Sequence, residues 1–272
     1  MEHIVDKVVS FLKKNTKVGD NSTAVILGNS FVDFLEKVDD KQVINFKDIP
    51  DFKVLGDDIE ENRFVFGKIN NKNIVVVMGR VHFNFGYEVQ DVGNLIYILK
   101  EIGCQSLIIT SSVGSLNPKI KVGDIVTCTD HINLTGRNPL YKCDYNKYGQ
   151  LFIDMSEPYS EQMIDSLVDT AKFDLGIKVK KGIMLEFNGP SAETVSESKL
   201  CRQMGADFTG FNVCLETIAC KYCKLPVIML GLVTNYAPFL SASKLKHEDI
   251  VYNRKCASNY FFSLLYRYLQ RV

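Results

Sequence analysis

The chain has no excess of charge of either sign and no linker. Its 272 residues include 32 lysines and arginines and 32 aspartates and glutamates, so the formal net charge is zero. A nucleic-acid-binding face requires clustered positive charge, and this balance indicates none, so we expect no nucleic-acid partner. No Pro/Gly/Ser-rich linker, low-complexity tract or internal repeat interrupts the sequence, which favours a single domain over residues 1–272.

Segments typical of membrane or exported proteins are also lacking. The longest apolar run, residues 225–233, contains a proline and is too short to cross a bilayer. Residues 1–7 include acids where the apolar core of a signal peptide would have to lie. We therefore expect a soluble, cytoplasmic protein that does not associate with a membrane.

The eight cysteines do not form a disulfide or metal-binding pattern. They are scattered, some lie in strand-like runs such as residues 125–128, and a chain of this length can build a core without disulfides. We expect reduced thiols. Cys220 and Cys223 form one zinc-like half-site with no second pair and no nearby histidine, so no metal is expected.

Short β-branched runs alternate with amphipathic stretches, which is the pattern of an α/β domain with a largely buried sheet. Gly103 and Gly205 occupy positions where a glycine is expected to end a helix. The predicted strands are residues 23–27, 73–78, 106–110, 124–128, 183–187 and 227–233. The predicted helices are residues 4–14, 92–102, 157–173, 194–204 and 245–269.

Side chains suited to an anion follow the first three predicted strands. Asn29 and Ser30 precede a helical pattern, where backbone N–H groups can face an anion. Arg80 offers a planar fork of donors that suits phosphate, and His82 adds a donor when protonated or in the right tautomer. Ser112 lies in a serine-rich segment that we expect to form the loop after the third strand. The alternative interpretation is an ordinary turn at Asn29 and Ser30 and again at Ser112. At Arg80 and His82 the alternative is a structural ion pair.

Three further polar residues lie near later element ends. Glu193 is in a loop-to-helix segment that begins Gly-Pro, where a carboxylate also suits the helix N-terminus. Asn235 ends the last strand and can donate to a carbonyl oxygen, although a turn-capping asparagine is the alternative. His247 is near the start of the last helix, where a solvated surface histidine is equally ordinary.

Four segments in this order resemble the trimeric purine nucleoside phosphorylase family, from about residue 25 to about residue 247. They are RVH at 80–82, DHINL at 130–134, GPSAETV at 189–195 and LVTN at 232–235. Members of that family split a nucleoside with inorganic phosphate into a free base and ribose 1-phosphate. The resemblance implies a single α/β domain with a twisted, mixed central β-sheet flanked by helices, a homotrimer, and no metal or organic cofactor.

The resemblance also implies roles for individual residues. The catalytic residues would be His82, Glu193 and Asn235. Phosphate would be bound by Asn29, Ser30, Arg80, His82, the backbone N–H of Ser112, and Asn212. The nucleoside would contact Asn84, Ala192, Glu193, Phe211, Asn235 and His247, with Phe152 covering the ribose of a neighbouring subunit. The DHINL segment is interpreted as structural, with His131 as a core histidine.

Several positions depart from the family pattern. Residues 56–62 form an acidic loop where the family has a Gly-His pair close to phosphate. Asn84 replaces a tyrosine that touches the ribose, and Ala192 replaces an aromatic that packs on the base. Where the family usually carries a serine between two glycines, this chain has Asn29 followed by Ser30. We expect phosphorolysis of inosine or guanosine. Two alternatives remain open, namely a preference for adenosine or a pyrimidine nucleoside, and a nucleoside-binding paralogue that does not catalyse phosphorolysis.

Overall fold

The computed structural model describes residues 3–17, 19, 21–27, 29–55, 62–141, 143, 146–241, 244 and 246–272. For residues 29–32, 83, 146 and 247 it describes the backbone alone. Within these ranges, no helix is long and apolar enough to cross a membrane.

Strands and helices alternate along most of the chain. The strands are β1 (Ser22–Leu27), β2 (Asp39–Asn45), β3 (Arg63–Ile69), β4 (Lys72–Met78), β5 (Cys104–Ser115), β6 (Ile125–Asn133), β7 (Val179–Glu186), β8 (Phe208–Gly210) and β9 (Val227–Tyr236). The α-helices are α1 (Ile4–Asn15), α2 (Val89–Glu101), α3 (Glu161–Leu175), α4 (Val195–Gln203), α5 (Val213–Tyr222) and α6 (His247–Leu269). Short 3₁₀ helices cover Asn29–Lys37, Phe46–Asp48, Phe83–Phe85 and Asn146–Tyr148.

The strands form one mixed sheet in the order β2-β3-β4-β1-β5-β8-β7-β6-β9, and β9 also pairs with β5. Because β9 pairs with β5, five strands form a closed barrel in the order β5-β8-β7-β6-β9. The other four strands, β1, β4, β3 and β2, extend from β5 as an open sheet. Strand β5 pairs with β9 along one edge, with a register shift between Val113 and Gly114. On its other edge it pairs first with β1 and later with β8, so β5 joins the open sheet to the barrel.

Helices cover the sheet and bury its apolar side chains. The helices α1, α2 and α5 pack in series, while α3 and α6 pack together and α6 lies against β9. Strands β1 and β4 are almost fully buried, as expected for parallel neighbours covered on both faces. Gly103 and Gly205 have φ of 109° and 98°, a conformation that glycine adopts without strain, and each follows a helix as predicted.

The predicted α/β fold with a mixed central sheet is confirmed, while one strand boundary is corrected and four elements are added. The predicted strand at 106–110 extends through Ser115, so Ser112 lies within β5 and not in a loop. Strands β2, β3 and β8 and helix α5 were not predicted. Strand β2 is an edge strand, DDKQVIN, with no fully buried residue, so it lacks the apolar run that marks buried strands.

Candidate functional site

One edge of β5 lacks a strand neighbour where β1 has ended and β8 has not begun. Strand β1 pairs with β5 as far as Ile26 and Ile109, and β8 pairs from Thr209 and Gly114. In the described part of the chain, residues 110–113 therefore have no strand partner on this edge. Arg80 reaches this gap, because its NH1 group donates to the Thr110 carbonyl oxygen at 3.4 Å.

Arg80 is held in place by a buried carboxylate. Its Nε and NH2 groups donate to the two carboxylate oxygens of Glu216 at 2.8 and 2.5 Å. The Arg80 side chain is 13% exposed and that of Glu216 is fully buried. Three of the five guanidinium N–H donors are engaged by these contacts, which leaves two for a ligand.

Arg80 stays protonated and positively charged despite its burial. Burial opposes the charge, but the ion pair with Glu216 and the more distant Glu186 carboxyl outweigh it, so the pKa of the guanidinium is raised. The structural ion pair that was the alternative for Arg80 is present, with Glu216 as the partner. This pair orients the guanidinium toward the gap in β5.

His82 is neutral and its tautomer is determined by a backbone contact. Burial, and then the positive charge of Arg80, lower the pKa of His82 to about 3. Its Nδ1 accepts the backbone N–H of Asn84 at 3.1 Å, so the ring proton is on Nε2. Of the two forms considered for a donating histidine, the neutral Nε2–H tautomer fits the structure.

The backbone N–H of Ser112 faces the same gap. Leu107 donates its N–H to the carbonyl of Pro226, the residue just before β9, whereas the Thr110 carbonyl faces Arg80 on the opposite edge of β5. Backbone groups of successive strand residues alternate between the two edges, so residues 110 and 112 share one. The Ser112 N–H is therefore directed away from β9, toward the edge that Arg80 approaches.

Asn212 has a different position from the one expected. It is fully buried, has φ of 70° and forms the N-cap of α5. Its Nδ2 donates to the Val81 carbonyl at 3.0 Å and to Glu216 Oε1 at 2.9 Å, which uses both amide hydrogens. The side chain therefore has no N–H left for phosphate in this arrangement, and it supports the Arg80 ion pair instead.

Asn235 lies beside a cleft of about 750 Å³, whose other lining residues include Val195 and Tyr252. The Asn235 Oδ1 accepts the Thr234 hydroxyl at 3.0 Å and the Nδ2 donates to the Tyr236 carbonyl at 3.3 Å. These contacts orient the amide and leave one N–H of the NH₂ group for another acceptor. Asn235 is opposite Gly114 in the β5–β9 pairing, next to the end of the gap.

Glu193 is half-buried just before helix α4, and it does not cap that helix. The cap is formed by Thr194 and Glu197, which exchange hydrogen bonds between side chain and backbone N–H at 3.2 and 2.7 Å. Burial, and then the nearby Glu193 charge, raise the pKa of the Cys201 thiol to about 11. Since Thr194 and Glu197 form the cap, Glu193 does not have the capping role that was its alternative interpretation. Ala192, next to Glu193, is exposed.

Asn84 and Phe211 converge on Gly189. A Cβ atom at Gly189 would lie 2.7 Å from Asn84 Nδ2 and 2.8 Å from the Phe211 ring, so any larger residue here would displace one of these side chains. The Phe211 ring also lies 6.2 Å from that of His82, centroid to centroid. The structure thus brings His82, Asn84 and Phe211 together beside Arg80, whereas Asn235 lines its own cleft opposite Gly114.

The remaining predicted residues are apart from this group or outside the described residues. Phe152 is 99% exposed on this single chain. Asn29 and Ser30 begin a 3₁₀ helix and His247 is the first residue of α6, but their side chains lie outside the described part of the structure. Residues 56–61 of the acidic loop also lie outside it.

His131 is in the position expected of a structural histidine. Its Nδ1 is 3.0 Å from the Tyr159 hydroxyl, and burial lowers its pKa. Among the described residues, no group of three or more histidine, cysteine, aspartate or glutamate side chains is arranged to bind a metal.

Two buried acids near Arg80 were not identified from the sequence. Glu216 is within an apolar helix and Glu186 is at the end of an apolar strand, and both are fully buried. A single carboxylate within an apolar run is the signal that would have found them, because a buried acid requires a partner.

Comparison with known proteins gives consistent matches over nearly the whole chain. A family model described as the phosphorylase superfamily matches residues 23–270. The chain is 32% identical to the purine nucleoside phosphorylase of Bos taurus, over 89% of this chain and 87% of that protein. It is 28% identical to purine nucleoside phosphorylase 1 of Bacillus subtilis, over 92% of each.

Solved structures agree with these matches. The crystal structure of Schistosoma mansoni purine nucleoside phosphorylase in complex with inosine has a TM-score of 0.92 at 26% identity, over 98% of this chain and 96% of that one. The same protein in complex with adenosine has a TM-score of 0.91 at 27% identity, over the same shares of the two chains.

Proposed function

Because the chain belongs to the phosphorylase superfamily, we propose that it cleaves purine nucleosides, inosine or guanosine, with inorganic phosphate to give free base and ribose 1-phosphate. The observation that carries this proposal is the Arg80–Glu216 pair at the open edge of β5. The pair holds an oriented, charged donor at a stretch of β5 that has no other strand partner on this edge among the described residues.

Phosphate is held at this edge by the two remaining N–H donors of Arg80, by Nε2–H of His82 and by the backbone N–H of Ser112. Phosphate oxygens suit the planar fork of arginine, and charge-assisted hydrogen bonds are the stronger kind. The bound phosphate attacks C1′ of the ribose as the glycosidic bond breaks. Holding the two reactants in line supplies about 7–11 kcal/mol of the barrier reduction.

The leaving base is stabilised from the opposite side. Negative charge develops on the purine as the bond breaks, and the open N–H of Asn235 donates to it while Glu193 accepts from the purine N–H groups. A donor positioned at developing charge contributes about 3 kcal/mol. Asn84, Phe211 and His247 contact the ribose, and Ala192 leaves room beside the base.

We also propose that the active unit is a cytoplasmic homotrimer that acts in purine salvage. The support for assembly is the family resemblance at Phe152, a residue that is 99% exposed on one chain and therefore accessible to a neighbour. In the proposed reaction phosphate is the co-substrate, and neither a metal nor an organic cofactor has a role.

The test is release of free base from a panel of inosine, guanosine, adenosine and uridine, each with and without phosphate. We expect release from inosine and guanosine only when phosphate is present, together with formation of ribose 1-phosphate. Equal release in phosphate-free buffer would indicate hydrolysis and would contradict the proposal. No release from any nucleoside would favour a binding protein, and release mainly from adenosine would correct the base preference.

A further inference from the structure

A buried carboxyl next to the phosphate site has no part in the proposed reaction. Glu186 ends strand β7 and is fully buried. Its Oε2 accepts the backbone N–H of Cys214 in the first turn of α5 at 2.7 Å, and the backbone N–H of Asn212 also faces the carboxyl. Its other oxygen, Oε1, has no hydrogen-bond partner among the described residues.

A second buried acceptor, on the residue whose backbone N–H faces Glu186, also lacks a donor among the described residues. Asn212 is the N-cap of α5, and its Oδ1 is also buried without a partner in the described part of the chain. The Cys214 thiol also donates to the Glu186 carboxyl. A proton on Glu186 removes the buried charge and gives this carboxyl a donor of its own, whereas an ionised Glu186 leaves a buried charge with one open oxygen.

Arg80 connects Glu186 to the phosphate site. The guanidinium is already neutralised by its bidentate pair with Glu216, and it also interacts electrostatically with Glu186. If both carboxyls are ionised, this water-poor cluster carries one net negative charge before any ligand arrives. A phosphate dianion at Arg80 would add two more, and like charges repel strongly where water does not screen them.

The other titratable groups around Glu186 keep their protonation states near neutral pH. Burial raises the pKa of the Cys214 and Cys128 thiols, so both stay protonated. Arg80 has a raised pKa and stays charged, and His82, with a pKa lowered to about 3, stays neutral. Glu216 is the salt-bridge partner of Arg80.

Glu186 itself is the group whose protonation changes in this range. Burial raises its pKa to about 7, against the opposing effects of the Cys214 and Asn212 N–H groups and of Arg80. At neutral pH the free protein is therefore a mixture of forms with ionised and protonated Glu186.

We propose that Glu186 takes up one proton when phosphate binds at Arg80. Phosphate binding is then coupled to proton uptake, and Glu186 determines the pH range in which phosphate binds. This inference rests on the proposed phosphorylase function. The proton comes from solvent when HPO₄²⁻ binds, or from the phosphate itself when H₂PO₄⁻ binds and becomes the dianion. Glu186 is a positioning residue that acts through Arg80 and the start of α5 and does not touch phosphate.

The first experiment compares the wild type with Glu186→Gln, a neutral isostere that mimics the protonated acid. The KM for phosphate in inosine phosphorolysis is measured between about pH 5 and pH 9, the range over which this group titrates. Ionisation of free phosphate affects both proteins equally, so it cancels in the ratio of their KM values. Glu157→Gln, a change at an exposed carboxylate, is the matched control.

We expect the two KM values to agree at low pH, because Glu186 is then protonated. Above the Glu186 pKa of about 7, the wild-type KM should rise relative to that of Glu186→Gln by up to about tenfold per pH unit. A ratio that is constant with pH would overturn the proposal. A structural role alone would shift the KM or kcat of the variant equally at every pH.

A second measurement needs only the wild type, so it decides the matter even if the variant does not fold. Difference infrared spectroscopy at about pH 8, above the Glu186 pKa of about 7, should show a protonated-carboxyl C=O band gained and a carboxylate band lost when phosphate is added. No such gain would overturn the proposal. Phosphate-dependent base release with a constant KM ratio would contradict the Glu186 role alone, whereas absence of base release would contradict the proposed function itself.

Discussion

The proposed role of Arg80 in phosphate binding depends on the geometry of its guanidinium as much as on its charge. The fork is held by both oxygens of a fully buried carboxylate, and the remaining donors are directed to the open edge of β5. Lysine is a point charge on a flexible stem, so it cannot pair with Glu216 at two points and still present donors to phosphate.

We therefore expect Arg80→Lys to raise the KM for phosphate by about ten- to hundredfold, since a hydrogen bond to a charged group is worth about 1.5–3 kcal/mol. Arg80→Ala should also lower the free energy of unfolding by about 3–5 kcal/mol, because Glu216 is left buried and unpaired. Initial rates at saturating inosine and urea unfolding give the two quantities. Arg271→Lys, at a surface pair with Asp174, is the control. An unchanged phosphate KM in Arg80→Lys would remove Arg80 from the phosphate site.

Asn235 is expected to select the base. An amide N–H suits a 6-keto oxygen, whereas a 6-amino group leaves that N–H unmatched at a cost of about 1–3 kcal/mol. Asn235→Asp removes the donor and adds an acceptor, so the ratio of kcat/KM for inosine to that for adenosine should fall by about ten- to hundredfold. Asn138→Asp keeps the Oδ1 that accepts the Leu140 N–H and should leave the ratio unchanged. A wild type that prefers adenosine would show that Asn235 does not select the base.

At the scale of elements, the β5–β9 pairing determines where Asn235 lies. Gly114 is opposite Asn235, and a Cβ atom there would be 2.9 Å from Asn235 Nδ2 and 3.2 Å from Thr209 Oγ1. A larger residue at this point would therefore displace the Asn235 amide. In contrast, a Cβ atom at Gly93 in α2 would be 3.5 Å from its nearest neighbours, an ordinary contact.

These two glycines form a matched pair of substitutions. Gly114→Ala should displace the Asn235 amide and lower kcat/KM for inosine by at least about tenfold, with an overpacking cost of about 1–3 kcal/mol in the free energy of unfolding. Gly93→Ala should leave kinetics unchanged and stabilise the protein by about 0.5–1 kcal/mol, because alanine suits a helix interior better than glycine. Nucleoside kinetics and urea unfolding test both variants. Wild-type kinetics in a folded Gly114→Ala protein would contradict this account of Asn235.

At the scale of the whole molecule, closure of β5 to β9 into a barrel leaves one edge of β5 open beside the sheet. Arg80 and the Ser112 N–H, which we propose bind phosphate, lie at that edge, and Asn235, which we propose binds the base, lines a cleft on β9. Phe152 lies outside this arrangement, since it is 99% exposed on one chain. A complete nucleoside site therefore includes a neighbouring chain in the proposed assembly.

We expect Phe152→Ala to raise the KM for inosine by about ten- to hundredfold, since burying a phenylalanine contributes about 1.5–3 kcal/mol. Each protomer should keep its fold, because the side chain makes so little contact within its own chain. Phe173→Ala, at a phenylalanine that is 69% exposed on α3, is the control and should leave the KM unchanged. Light scattering gives the oligomeric state alongside the kinetics. Full activity from a demonstrated monomer would contradict a shared site.

The sequence by itself determined the alternation of strands and helices, the helix-ending glycines and the family resemblance. These depend on local pattern, such as apolar runs in β1 and β4 and glycines with positive φ at 103 and 205. Only the tertiary structure decided that Ser112 lies at a strand edge, that Asn212 supports an ion pair, and that Glu186 and Glu216 are buried beside Arg80. Arg80 and Glu216 are 136 positions apart. Their contact arises from closure of the sheet and packing of α5, which no local pattern of residues specifies.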